Sequence, residues 1–348
     1  MLHKSPPLAL PTCDDRLLWD VVYSSFQYPT LTVADELGLF PLLEKEAATA
    51  DEIAARLSIG PRATEAMLAV LTSLGFLVQH QGRFSITDVT RNYLLPDRPY
   101  YWGPILKDDR NQTIQVRIWK ALEEDTPYPA APAHDQKSLI EQWEIGDFDP
   151  AEAEGFIARM HSYAFPSAMG AARNGDFSGV TRLLDVGGGS GAFSMALAMQ
   201  HPSIRCTLMD LPAVCEAAQQ YIAAYALEDQ IDTHAIDMFK DPWPSGYDAV
   251  FFSNIFHDWD QKRCLFLGRQ SFDLLPSGGR IILHEMLFED TKDGPLVAAL
   301  LSMRMFVGTR GKQFSAGELD ALLRACGFTD IVVLPTYGYY SLVSGTKP

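Results

Sequence analysis

The sequence predicts an α/β chain: a doubly wound, mostly parallel sheet with an antiparallel last strand, preceded by a mainly helical N-terminal winged-helix domain. Three observations carry this. A short apolar strand over residues 181–186 runs straight into Gly187-Gly188-Gly189-Ser190-Gly191 and then into 192–197 at helical spacing. Strand-like and helix-like stretches go on alternating toward the C-terminus, the order that produces parallel strands joined by crossover helices. Upstream, two helical runs broken at Gly60-Pro61 precede two short β-type runs, the pattern of a helix-turn-helix followed by a wing.

The bulk composition frames these elements. With 348 residues, 47% hydrophobic and 21% charged, the chain exceeds one ordinary domain and can bury two cores. The expected division is 1–105 for the winged-helix domain, 106–175 for a helical linker lining a ligand cleft, and 176–348 for the α/β domain. A formal net charge of -16 repels a polyanion, so no nucleic-acid partner is expected. Cys13, Cys206, Cys215, Cys264 and Cys326 are odd in number and never spaced as CxxC; neither a disulfide framework nor a metal site is expected, and a reducing, cytoplasmic setting fits. No stretch of about 18 uncharged apolar residues occurs, so no membrane span is expected, nor is an export leader.

In the first domain a helix is expected over 17–26. Thr49 and Glu52 form a capping-box pattern. Ile53, Leu57, Ala63, Ala66, Met67, Val70, Leu71 and Leu74 recur at helical spacing. Gly75 ends the second helix, and 76–78 and 84–87, joined by a turn at Gln81-Gly82, read as the wing. The second helix carries Arg62 but also Glu65 and little other positive charge, which favours protein contact over DNA; pairing of two copies through this domain is the expected use. In the linker, Trp119, Trp143 and the proline-rich 126–132 precede a helix over 150–169. Met160, His161 and Phe165 on that helix have two readings, cavity wall or ordinary core.

The α/β domain holds the chemistry. Glycines at alternate positions let the backbone pass close beneath a ligand, and a helix N-terminus offers unpaired amides, so a nucleotide-like cofactor is implied. The next strand, 206–210, ends in Asp210, placed to accept from both hydroxyls of a ribose. Further strands are expected over 231–236, ending in Asp237-Met238, over 247–253, and over 280–283 after the turn 276–279. The chain closes with 329–334, a break at 335–338, and 339–345, a hairpin. Ligands of such a sheet sit at the carboxyl ends of its strands, where all these motifs fall.

At this point the residues resemble a known family. The run 185–191, Asp-Val-Gly-Gly-Gly-Ser-Gly, resembles the first cofactor motif of the class I, Rossmann-like methyltransferases. Asn254-Ile255-Phe256-His257-Asp258-Trp259 resembles the LHDW signature of plant caffeate-type and bacterial antibiotic O-methyltransferases. The winged-helix domain and residues 311–315 extend the likeness over most of the chain. It implies S-adenosylmethionine as cofactor, S-adenosylhomocysteine as product, and a small aromatic acceptor bearing a hydroxyl. By the same likeness Asp185, Gly187, Gly189 and Gly191 cradle the cofactor's amino-acid part, Asp210 with Leu211 holds the ribose, and Asp237, Met238 and Trp259 flank the adenine. Ser253 stands where plant members carry lysine and would bond the cofactor's carboxylate. A phenol with a pKa of about 10 is mostly protonated at neutral pH, and an imidazole with a pKa of about 6.5 suits it as acceptor; His257 is the implied base, with Glu285 orienting its ring. His284 points to the opposite face if strand alternation holds, and is read as packing.

Two departures bear on the chemistry. Where the family commonly has a second acid, this chain has Gln313, which can orient a group but carries no charge. In Leu301-Ser302-Met303-Arg304-Met305 the arginine replaces a common neutral amide; it either faces an acidic acceptor or pairs on the surface. Met303 and Met305, with Asn254, Met160 and Phe165, complete the expected acceptor-binding set. Carbon or nitrogen methylation, or a cofactor-binding relative that transfers no methyl, stays open as the alternative.

Overall fold

The computed structural model describes residues 12–98, 101, 103, 106, 113–128, 139–146 and 150–348. In chain order the helices among them are α1 Arg16–Tyr23, α2 Gln27–Glu36, α3 Leu39–Lys45, α4 Ala50–Leu57, α5 Pro61–Ser73, α6 Asp88–Tyr93, α7 Thr113–Glu124, α8 Leu139–Ile145, α9 Pro150–Asn174, α10 Ala192–Gln200, α11 Pro212–Ala224, α12 Gln261–Leu274, α13 Leu296–Gly308 and α14 Ala316–Ala325. The strands are β1 Ala48–Thr49, β2 Leu77–His80, β3 Arg83–Ile86, β4 Arg182–Val186, β5 Arg205–Asp210, β6 Ile231–Ala235, β7 Ala249–Ser253, β8 Arg280–Met286, β9 Thr329–Tyr337 and β10 Tyr340–Thr346. They fall into two compact units, one of Arg16–Gln136 with Leu287–Ser315, the other of Met1–Asp15, Lys137–Met286 and Ala316–Pro348.

In the first unit, Thr49 Oγ1 accepts from the Glu52 amide at 3.3 Å while Glu52 Oε2 accepts from the Thr49 amide at 2.9 Å, so two of the donors left open at the start of α4 are satisfied. Gly60-Pro61 starts α5, with proline in the first turn, where its missing N–H is not needed. The wing follows as β2 and β3, antiparallel with Leu77 opposite Ile86 and His80 opposite Arg83, and the short β1 adds a third strand beside β3. The buried face of α5, with Ala63, Ala66, Met67, Val70 and Leu71, meets α13. Arg62 at the start of α5 donates to the carbonyls of Phe306 (3.3 Å), Thr309 (3.2 Å) and Gly311 (2.8 Å), and its guanidinium lies 4.8 Å from the Phe306 ring. It closes the C-terminal end of α13, whose last carbonyls have no partner within the helix. Burial pulls the Arg62 guanidinium down to about 10, with Asp125 opposing the shift. Replacing Arg62 with alanine should therefore destabilise this unit by about 2 kcal/mol, because three buried carbonyls lose a charged donor; an unchanged denaturation midpoint would show that solvent replaces it at no cost.

The second unit carries a seven-stranded sheet in the order β6-β5-β4-β7-β8-β10-β9. The first five of these are parallel, and β10 runs antiparallel to both β8 and β9. β4, β7 and β8 are buried nearly throughout, covered on both faces, so none shows the apolar–polar alternation of a half-exposed strand, and the polar Asp185, His284 and Glu285 they carry are buried too. Phe165, Leu183, Phe193, Met195, Phe251, Ile282 and Leu342 belong to one core cluster. β9 continues through Pro335 to Tyr337, and only Gly338 (φ +58°) and Tyr339 form the turn. The sequence predicts the break over 335–338, earlier than it falls; β9 is the outermost strand, and an edge strand tolerates a residue that cannot donate. The chain leaves β4 for β5 on one side and later returns to β7 on the other, so the carboxyl ends of β4 and β7 border the switch point where a doubly wound sheet opens a crevice.

Candidate active site

The glycine turn begins where β4 ends. Gly187 (φ +68°), Gly189 (φ +56°) and Gly191 (φ +77°) all lie in the left-handed region, and Gly191 caps α10. Among the described residues a Cβ on Gly189 would meet only Ile157 Cδ1 at 3.9 Å, which leaves room there for a ligand, whereas one on Gly188 would strike Leu208 at 2.6 Å. The turn is braced by its neighbours. The Gly189 amide donates to Asp210 Oδ2 at 3.0 Å, and the Leu211 amide to Asp210 Oδ1 at 2.8 Å. Asp185 lies beneath the turn, 1% exposed, accepting from the Ser194 hydroxyl at 2.7 Å. Burial raises the Asp185 carboxyl to about 7, with the nearby Asp210 adding to the rise, and burial raises Asp210 to about 6 against the two amides that hold its charged form. Two acids kept reluctant to ionise beside an open glycine turn suit a cationic ligand, which would favour their charged forms.

The remaining cofactor candidates follow the other strand ends. Beyond β6, Asp237 Oδ1 accepts from the Phe239 amide at 2.9 Å, and Oδ2 lies 2.8 Å from Lys240 Nζ. The Met238 carbonyl accepts from Trp243 Nε1 at 2.9 Å. Trp259 is 3% exposed, with the Phe239 ring 4.8 Å away and the Arg263 guanidinium 4.6 Å from its own ring; it backs the loop that carries Met238. At the end of β7, the Ser253 hydroxyl lies 3.0 Å from His284 Nδ1 and accepts from Asn254 Nδ2 at 3.4 Å. Asn254 has φ +54°, a conformation asparagine tolerates better than most side chains.

His257 sits on a single 3-10 turn, Phe256–Asp258, immediately after β7. It is 6% exposed, and its Nδ1 lies 2.8 Å from Oε2 of Glu285, itself 1% exposed, on β8. Nε2 is 3.9 Å from Asp258 Oδ1. A carboxylate on Nδ1 fixes the tautomer with the proton on that nitrogen and leaves Nε2 as the basic one. On α9, Met160 is half-buried, while His161 Nδ1 lies 2.9 Å from the Ser190 hydroxyl of the glycine turn. Burial pushes His161 down to about 4, so it contacts the turn as a neutral ring. Phe165 belongs to the core and stacks on Tyr225 at 5.7 Å, the packing role among its two readings.

The unit containing α13 holds the other expected residues. Met303 and Met305 are buried at 0% and 7%, whereas Arg304 between them is exposed, 5.9 Å from the Tyr23 ring. Successive helical residues turn by about 100°, so these three cannot face one direction. Gln313 is fully buried, and its backbone N–H donates to the Ser302 hydroxyl at 3.2 Å. Two contacts escaped the sequence reading, the closure of α13 by Arg62 and the Ser253–His284 pair. Neither has a local signal, since each joins residues far apart in the chain.

Comparison with known proteins gives a consistent picture. Residues 122–329 match the model of the O-methyltransferase domain, and residues 19–96 match that of the O-methyltransferase dimerisation domain. The chain is 38% identical over 335 residues to 3-hydroxy-5-methyl-1-naphthoate 3-O-methyltransferase of Streptomyces sahachiroi, covering 95% of each sequence. Among solved structures it is similar to an O-methyltransferase family 2 protein from Planctomyces limnophilus in complex with apigenin, with a TM-score of 0.86, 25% identity and 99% of both chains covered. It is also similar to human N-acetylserotonin methyltransferase in complex with S-adenosylmethionine, with a TM-score of 0.59, 25% identity, and 95% of this chain and 97% of that one covered.

Proposed function

This chain belongs to the O-methyltransferase family, and from that premise we propose that it moves a methyl group from S-adenosylmethionine to a ring hydroxyl of a small aryl acid or phenol, with His257 as the base. The observation that carries the proposal is the 2.8 Å contact between His257 Nδ1 and Glu285, set at the strand ends that border the glycine turn. When bound, S-adenosylmethionine supplies a methyl on a sulfonium, already activated for displacement. Gly187, Gly189 and Gly191 with Ser253 would hold its amino-acid part above Asp185, Asp210 beside Leu211 its ribose, and Asp237 and Met238 its adenine, with Trp259 behind. The fit rests on the open space over Gly189 and the two acids whose burial disfavours charge.

His257 Nε2 accepts the hydroxyl proton as the oxygen becomes a nucleophile, and Glu285 stabilises the imidazolium that results. Asn254 and Met160 are proposed to orient the ring of the acceptor. An aryl acid is favoured because the Streptomyces relative is named for a hydroxynaphthoate; Arg304, exposed beside Tyr23, is not used in that reading. The N-terminal domain is proposed to pair with a second copy. Its dimerisation-domain match and the exposed Leu17, Leu18, Val21 and Val22 of α1, between 55% and 75% accessible, support this. All five cysteines are free thiols, and no helix among the described residues is long and apolar enough to cross a membrane.

The test is incubation with S-adenosylmethionine and a panel of hydroxylated aryl acids, phenols and their O-blocked analogues. A product heavier by one CH2, formed only from acceptors with a free ring hydroxyl, is expected. Methylation of the O-blocked analogues would replace this reading with carbon or nitrogen transfer.

A further inference from the structure

Ser253 raises a question of hydrogen-bond direction. Its Oγ has two lone pairs and one proton, and two groups of this chain reach it, His284 Nδ1 at 3.0 Å and Asn254 Nδ2 at 3.4 Å. His284 is fully buried on β8, stacked on Tyr340 with ring centroids 4.5 Å apart and planes 6° apart, and the Phe193 ring lies 4.7 Å away. Among the described residues its Nε2 has no hydrogen-bond partner, and neither does Asn254 Oδ1.

We propose that His284 is a positioning residue: by donating from Nδ1 it turns the Ser253 hydroxyl into a donor for the carboxylate of the cofactor's amino-acid part. This rests on the reading of Ser253 as a cofactor ligand. With the proton on Nε2, an N–H would lie among aromatic rings without an acceptor, and Ser253 would spend its own proton on Nδ1. With the proton on Nδ1, the ring and the Asn254 amide fill both lone pairs of Oγ. The Ser253 proton is then free for a ligand, and what stays unpaired in the core is a lone pair and not an N–H, the rarer orphan in native interiors. Burial holds the ring far below its ordinary range, near 3, so it keeps one proton and one donor. A carboxylate accepts and never donates, and so needs a hydroxyl whose proton is uncommitted. Asn254 leaves strand geometry with φ +54°, and its side-chain amide reaches back to Ser253.

The experiment compares binding of S-adenosylhomocysteine, which carries the carboxylate, with 5′-methylthioadenosine, which lacks it, by calorimetry on the full-length protein. Ser253→Ala and His284→Phe should each weaken the first by about tenfold, the worth of a hydrogen bond to a charged group, and leave the second unchanged. His284→Asn, which places an N–H near the position of Nδ1, should recover most of the loss, and the double variant Ser253→Ala/His284→Phe should bind no worse than either single one. If Ser253→Ala binds S-adenosylhomocysteine normally, Ser253 is no carboxylate ligand and the underlying reading falls with the proposal. If Ser253→Ala weakens binding but His284→Phe does not, or if His284→Phe weakens both ligands alike, only the role of His284 is overturned. Should His284→Phe fail to fold, 15N NMR of histidine-labelled protein decides: a proton on Nδ1 of His284 supports the proposal, and a proton on Nε2 overturns it.

Discussion

Alanine in place of His257 should lower kcat by between about a hundredfold and ten-thousandfold, the range for loss of a positioned base, while S-adenosylhomocysteine still binds with nearly its original affinity. The two effects separate because none of the contacts that brace the glycine turn or Asp210 involves the imidazole. A phenolic oxygen attacks poorly while it keeps its proton, and Nε2 is the nitrogen left basic by the 2.8 Å contact of Nδ1 with Glu285. Removing the ring also leaves the buried Glu285 carboxylate without that partner, so some loss of stability is expected too. Added imidazole distinguishes the causes: it should restore part of the turnover if a base is missing, and none if only packing has changed. Turnover within tenfold of the original enzyme, measured at saturating acceptor, would remove His257 from the chemistry. Glu285→Gln should cost less than His257→Ala, since an amide oxygen can still hold the tautomer although it no longer offsets the imidazolium charge.

How far the sequence foretold this site depends on the range of the signal. The capping box at Thr49 and Glu52, the break at Gly60-Pro61 and the glycine turn are encoded within a few residues, and the structure builds each of them at the expected place. The alternation of strands and helices likewise announces a parallel sheet. Three features escaped for one reason, that they depend on residues distant in the chain. Segment Leu287–Ser315 packs into the unit of Arg16–Gln136 although it follows β8 in sequence; α13 is apolar nearly all round, so no periodicity says which neighbour it meets. Arg62 looks like a free cation on a recognition helix until the carbonyls of Thr309 and Gly311 are brought to it. His284 was legible as packing from strand alternation, yet its hydrogen bond to Ser253 comes from the parallel register of β7 with β8, which sets those two residues side by side.

Asp185→Asn should raise the thermal midpoint of the ligand-free protein at neutral pH, by roughly 5 °C or more, and the gain should vanish in mild acid. The carboxyl lies 1% exposed beneath the glycine turn, and its pKa is raised from 3.8 to about 7, chiefly by burial and further by Asp210, against the hydrogen bond from Ser194. The sign follows from proton counting. Between these two values the unfolded chain has released the proton and the folded chain retains it, so folding binds a proton and stability falls as pH rises through that window. A difference of about three pH units between the two states corresponds to on the order of 4 kcal/mol. Asparagine keeps an oxygen for the Ser194 hydroxyl and has no proton to lose, so from about pH 4 to pH 7 its melting temperature should fall less steeply than that of the original protein, the remaining slope coming from Asp210. S-adenosylmethionine, with a sulfonium and an ammonium, should narrow the gap between the two proteins at neutral pH by favouring the ionised acids, and more so than S-adenosylhomocysteine, whose sulfur is neutral. Melting curves that run parallel across the whole window would mean that Asp185 is charged in the folded chain throughout, and would withdraw the electrostatic basis for a cationic ligand at this turn.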